Sequence, residues 1–286
     1  MYTTLAQVRA EIGERDATVT SNDAFNIEAM RFVVARINQE TGREFAPRIE
    51  ARYLDAIPMS KGGPVQGATL WLDRELLAVN TLTNGDGTVI DSASYRLLPR
   101  NEGHKTRIRL IDTTWTYTDD PVEAIEVDGV WAYHRRPSEA WLSSGDAVQN
   151  DPLSASGTTI TVNDADGADG RNRQPRFSPG QLLGIEDEYV EVLAVDTESN
   201  VLTVLRGVRG STAVAHTKDT TIVIWQPDPQ VELAATRWAA LCYRRRGEFV
   251  RTQTEGFTTF EWPKDAPDNV VPILNSLRRV GSVRST

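Results

Sequence analysis

The sequence predicts an α+β protein: a helical body with short strands that carries an inserted small all-β barrel or sandwich domain. Three observations predict it. Apolar residues recur at helical spacing near both ends of the chain, short β-branched and aromatic runs fill residues 49–135, and a turn-rich stretch of strand-like segments spans 148–226. The expected organisation is residues 1–147 as the N-terminal part of the body, 148–226 as the insert, and 227–286 as C-terminal helices and a tail.

The first 45 residues read as two helices. In the second, Ser21, Asn22 or Asp23 can cap the start, Ile27, Met30, Val33, Val34 and Ile37 form one apolar stripe, and Gly42 supplies the stop. Strand candidates follow at 52–54, 69–72, 79–83, 95–98, 107–111 and 125–133, with Asn84-Gly85-Asp86-Gly87 as a tight turn. In the insert the runs 158–162, 181–185, 189–195, 201–205 and 221–225 are short and bounded by Gly, Asp, Asn or Pro. Five or six such strands suit a small barrel or sandwich. After Pro227, Val231, Ala234, Ala235, Trp238, Leu241 and Cys242 share a helical face, with Arg244-Arg245-Arg246 at its C-terminal end. Pro263 and Pro267 precede a short final helix over 270–280.

Length and composition are those of an ordinary globular chain of 286 residues, 40% hydrophobic and 25% charged. The formal net charge of -9 argues against a dedicated nucleic-acid binder, which presents a basic stripe to phosphates. Residues 1–147 carry -6, 148–226 carry -5 and 227–286 carry +2, so the C-terminal part is the electrostatic exception. One cysteine, Cys242, can form neither an internal disulfide nor a multi-cysteine metal site. With no signal-like start and no apolar run of membrane-spanning length, the chain is expected to be made in the cytoplasm without a membrane span.

No catalytic, metal or cofactor-binding residue is expected. His104, His134 and His216 fall in no metal-binding or nucleophile-base pattern, and Cys242 lies on an apolar helix face without a base. The loop Asp164 to Pro175 has carboxylates, but from Asp164 the glycine position of a calcium loop is Asp169 and the closing glutamate position is Pro175, so a solvated turn is expected. Glu186-Asp187-Glu188 with Glu191 reads as a charged hairpin surface, Glu186 and Glu188 on one face, and not as a hydrolytic carboxylate pair. Arg206 to Thr212 introduces no phosphate-binding helix and reads as a strand exit and turn; no nucleotide-binding or nucleophile-elbow motif occurs.

Several phrases in order carry a likeness. Leu5-Ala6-Gln7-Val8-Arg9, Ile37 with Thr41 to Phe45, Arg52 to Asp55, Leu82 to Gly87, Tyr95 to Asn101, Phe177 to Leu183, Leu205 to Thr212 and Ala234 to Arg245 together resemble the head-to-tail connector (adaptor) proteins of tailed bacteriophages. The resemblance implies a helical connector body and a structural, non-enzymatic virion protein of the phage neck, made in the host cytoplasm. It implies a homo-dodecamer ring beneath the portal protein, with a downstream tail protein as the second partner. DNA then passes through the channel without sequence-specific binding. The portal contact is expected in the C-terminal tail, at Leu277, Arg278, Arg279, Val280 and Arg284. The alternative is a tail-completion or baseplate component whose β domain binds a protein or a glycan.

Overall fold

The computed structural model describes residues 1–14, 20–247, 251–254, 257–260 and 266–279. In chain order, helices α1 (Leu5–Ile12) and α2 (Asp23–Thr41) come first. Strands β1 (Arg48–Leu54), β2 (Val65–Gln66), β3 (Thr69–Thr83), β4 (Tyr95–Leu98), β5 (Lys105–Leu110) and β6 (Ile125–Trp131) follow. A second set comprises β7 (Trp141–Ala147), β8 (Thr159–Thr161), β9 (Leu182–Ile185), β10 (Glu188–Asp196), β11 (Val201–Leu205) and β12 (Thr221–Trp225). The chain then runs through α3 (Pro229–Arg244), the hairpin β13 (Arg251–Thr254) and β14 (Phe257–Phe260), and α4 (Val271–Leu277). Two compact units result: Met1–Gly42 with Trp141–Val208 and Thr212–Thr286, and Arg43–Ala140 with Arg209–Ser211. Composition places boundaries at 147/148 and 226/227, whereas these units divide after Gly42, Ala140, Val208 and Ser211.

In the first unit α1 starts with a capping box. The Thr4 hydroxyl accepts from the Gln7 N–H at 3.2 Å, and the Gln7 side-chain oxygen accepts from the Thr4 N–H at 2.9 Å. Gly42 ends α2 in the left-handed region at φ 67°. Met30, Val33 and Ile37 of α2 are fully buried, as their spacing predicts, while Ile27 and Val34 are half-buried. Asp228 caps α3 by accepting from the Gln230 N–H at 3.1 Å, with Pro229 in the first turn. Its Trp238 is fully buried, edge-on to Phe32 of α2 at 6.4 Å between ring centroids. α3 contacts α1, α2 and α4, so helices from the two ends of the chain form one layer.

Cys242 sits in that layer, and burial pushes its thiol up to about 12. Only the thiolate is nucleophilic. The native protein is therefore expected to leave a thiol reagent unconsumed at pH 8 and to react with one equivalent once denatured; rapid native labelling contradicts this packing.

The strands β7–β12 form one antiparallel sheet in the order β7-β12-β9-β10-β11-β8. Past the end of β7, the Gln149 N–H donates to the Thr161 carbonyl of β8 at 2.8 Å, so the first and last strands of the sheet are linked. Alternating residues such as Leu183, Ile185, Val190, Val192, Leu202 and Ile222 fill its interior. The N-terminus is tied to the same unit: the Met1 amine donates to the Gly180 carbonyl at 2.7 Å and the Leu5 N–H to that of Pro179 at 3.0 Å.

In the second unit β1-β6-β3-β5-β4 make an antiparallel sheet, with β2 also on β3. β3 is 15 residues long; its start pairs with β5 and its end with β6 across register shifts, which bend the sheet around one core of Leu70, Leu76, Leu82, Ile108, Ile125 and Val127. Segment 209–211 lies on the β1 edge, where the Ile49 N–H donates to the Arg209 carbonyl at 2.9 Å. Gly210 adopts φ 84°, and a Cβ there would stand 1.8 Å from the Ile49 carbonyl oxygen. Gly210→Ala is therefore expected to lose about 2 kcal/mol or more in urea unfolding, from the left-handed backbone and the clash together; an unchanged midpoint contradicts the fit.

The expected helical connector body is overturned. Among the described residues two six-stranded antiparallel sheets dominate, the helices number four and are short, and the fold is β-rich. The reason is physical. The runs between 48 and 131 alternate apolar and polar residues, which helices cannot bury on one face but paired strands can, so they zip into one sheet with its own core.

Candidate functional surfaces

Glu186 and Asp187 are exposed, as a charged hairpin surface requires, but Glu188 is not part of that surface. Ile185 pairs with Glu188, so Glu186 and Asp187 are the two turn residues and Glu188 opens β10 facing inward, 1% exposed. Its carboxylate accepts from Arg206 Nε and Nη2, both at 2.6 Å, from the N–H groups of Gly207 at 2.9 Å and Val214 at 3.2 Å, and meets His216 Nε2 at 2.8 Å. His216 Nδ1 meets Glu186 at 2.7 Å. Thus Glu186 and Glu188 do share a side, around a buried histidine. Burial works to raise the Glu188 carboxyl, but the hydrogen bonds from Arg206, His216, Val214 and Gly207 outweigh it and hold it below the usual carboxylate range. A carboxylate offers about four lone-pair sites, and five contacts from four residues crowd this one. The cluster fastens Arg206, Gly207, Val214 and His216 to the β9–β10 hairpin within the first unit.

The loop from Asp164 to Pro175 is likewise partly internal. Asp146 accepts from the Asn163 and Asp164 N–H groups at 3.0 and 2.9 Å and pairs with Arg176 at 2.8 Å. Buried Asp169 pairs with Arg173 at 2.9 Å. Both carboxyls lie below their ordinary value because these donors outweigh desolvation. Among the described residues no group of three His, Cys, Asp or Glu side chains could hold a metal ion. Beside this loop a cleft of about 370 Å³ lies within the first unit, bounded by the N-terminal residues, α1, the end of β12 and the start of α3. Arg173 reaches into it, but Asp169, Glu232 and Gln226 already engage its guanidinium.

The C-terminal residues singled out from sequence fall in different places. Leu277 is 1% exposed in α4, which packs on α2 and α3. Arg278 donates to the Glu40 carbonyl at 3.0 Å and pairs with its carboxylate at 3.1 Å. The Arg279 N–H donates to the Thr41 carbonyl at 2.9 Å. Val280 and Arg284 lie outside the described residues.

Sequence reasoning missed a pair of opposed surfaces on the second unit. On the outer face of β3, β5 and β4, Trp71 pairs with Arg107 and Leu98 with Arg107, while on the next rung Thr69 and Arg96 both pair with Arg109. Trp71, Arg96 and Arg109 are exposed, and the Arg107 guanidinium lies 4.8 Å from the Trp71 ring centroid. Among the described residues no carboxylate lies within 4 Å of the Arg96, Arg107 or Arg109 guanidinium. At the far end of β3, Thr83 and Tyr53 pair with Glu126, the Glu123 N–H donates to Asp55 at 2.8 Å, and the Ala56 N–H donates to the Pro121 carbonyl at 2.7 Å. This gathers Asp55, Asp119, Asp120, Glu123 and Glu126 around exposed Tyr53, Tyr117 and Val122. A signal was available: residues 95–109 hold five cations and one carboxylate, Glu102, whereas 112–128 hold six carboxylates and no cation.

Compared with family models, curated proteins and solved structures, the chain matches none.

Proposed function

We propose that this chain is a structural head-to-tail adaptor of a phage neck, one subunit of a ring beneath the portal through which DNA passes and to which the tail attaches. The observation that carries the reading is the helix layer. The phrases of the resemblance at Leu5–Arg9, at Ile37 and at Ala234–Arg245 lie on α1, α2 and α3, which meet in one layer although more than 180 residues separate α2 from α3. The β-rich remainder departs from the helical expectation without touching those phrases. It adds surface in the α2–α3 connection, which suits a part whose work is contact with neighbours. A net charge of -9 suits a channel that DNA must leave, because it offers few counter-charges to phosphate.

We propose the portal contact in the C-terminal tail, in the segment after α4, which Arg278 ties to Glu40 of α2. Co-sedimentation tests the reading. The full chain is expected to pellet with purified portal rings, and a chain cut after residue 279 to stay in solution while keeping its helix content. Binding to tail tube or cell-wall glycan, with portal ignored, supports the tail-completion or baseplate alternative instead.

A further inference from the structure

We infer that the arginine face of the second unit docks on the acidic end of the same unit in a neighbouring copy, as a head-to-tail contact between subunits. The inference rests on the ring reading for its geometry and names the surfaces that would join the copies. Three observations carry it.

First, Arg96 and Arg109 stand directly opposite each other on adjacent strands, and among the described residues no carboxylate pairs with either. Like charges in that relation destabilise a sheet, and an incoming anionic surface removes the penalty. Second, both surfaces combine charge with exposed aromatic area: Trp71 under Arg107 on one, Tyr53 and Tyr117 beside the carboxylates on the other. Interfaces are enriched in aromatic residues and Arg, and complementary potentials align them. Third, the surfaces are built from different residues on different strands: Arg96 on β4 with Arg107 and Arg109 on β5 for the one, Tyr53 on β1 with Glu126 on β6 for the other. Two distinct complementary patches on one unit make a heterologous contact, which generates a ring when its rotation closes.

Nucleic-acid phosphate is the competing anion for the arginine face, but it leaves the matching acidic end unexplained. A neighbouring copy accounts for both.

Sedimentation velocity on the full chain, across concentration and salt, tests the contact. The unmodified chain is expected to self-associate at low salt and to dissociate as salt rises. Arg96→Glu with Arg109→Glu, and separately Asp119→Lys with Glu126→Lys, are each expected to weaken self-association by about tenfold or more. Mixing the two variants is expected to restore it, because each then offers the charge the other lacks; restoration also shows that both are folded. A chain that stays monomeric at every concentration overturns the contact, as does association that ignores both charge reversals or fails to return on mixing. Loss of duplex-DNA binding in the arginine variant, with self-association unchanged, assigns the face to nucleic acid and overturns it too. Portal binding is read separately. Self-association as expected without portal binding leaves this contact standing and removes the adaptor reading, while portal binding by a monomeric chain does the reverse.

Discussion

Glu188→Gln is expected to destabilise the first unit by about 3–5 kcal/mol, the penalty for leaving one partner of a buried ion pair unmatched. Arg206 is 5% exposed at its side chain, and its Nε and Nη2 both point at Glu188, so neutralising the acid strands a guanidinium away from water. His216, fully buried, loses one of its two carboxylate neighbours in the same step and keeps Glu186. The double variant Glu188→Leu with Arg206→Met removes both charges and is expected to lose less than the two single variants summed. Denaturant titrations of the four proteins give the cycle; additive losses contradict a coupled pair.

The same carboxylates set the acid response. Glu188, Asp146 and Asp169 all have folded pKa values below their ordinary ones, so their contribution to stability is complete above the unfolded carboxylate range. It is lost as pH falls through that range toward the depressed folded values, because the unfolded chain then binds protons that the folded chain refuses. The melting temperature is expected to be flat near neutrality and to fall below about pH 4.5, with a shallower fall in the Glu188→Gln protein.

Trp238→Ala is expected to cost about 3–5 kcal/mol, since it empties a fully buried site in the layer that joins α1, α2, α3 and α4. Trp238→Phe keeps an edge-on aromatic partner for Phe32 and removes an indole N–H that has no hydrogen-bond partner, so its loss should be the smaller of the two. Thermal unfolding of both variants checks the order; equal losses mean that the site is not packed as described.

The parts of the fold legible in the sequence are those in which burial follows apolar spacing. Met30, Val33 and Ile37 place the buried face of α2, Gly42 its end, and β4, β11 and β12 coincide with their apolar runs. Legibility fails where polar groups are buried and satisfied. β3 was expected as two strands because Asp73-Arg74-Glu75 interrupts it; in the structure Arg52 pairs with Asp73, buried Glu75 pairs with Arg43, and the strand continues through a register shift. β7 was missed because Ser143-Ser144-Gly145-Asp146 lacks apolar alternation. Ser144 instead donates to the Ile222 carbonyl at 2.7 Å and Asp146 takes Arg176, so the strand is held by polar contacts.

Glu188 failed for the same reason, since nothing local announces that Arg206 and His216 will return to meet it. The surfaces of the second unit were hidden differently. Summing charge over residues 1–147 averages the cationic block at 95–109 against the anionic block at 112–128, and only strand register shows which strands bring the charges of each block side by side.

Electron microscopy of the full chain mixed with purified portal rings tests the central claim most directly. The account predicts an added ring of density at the tail-facing end of the portal, built from repeated copies of this chain. Bare portals at saturating chain concentration, with the chain free or bound to tail tube, contradict it.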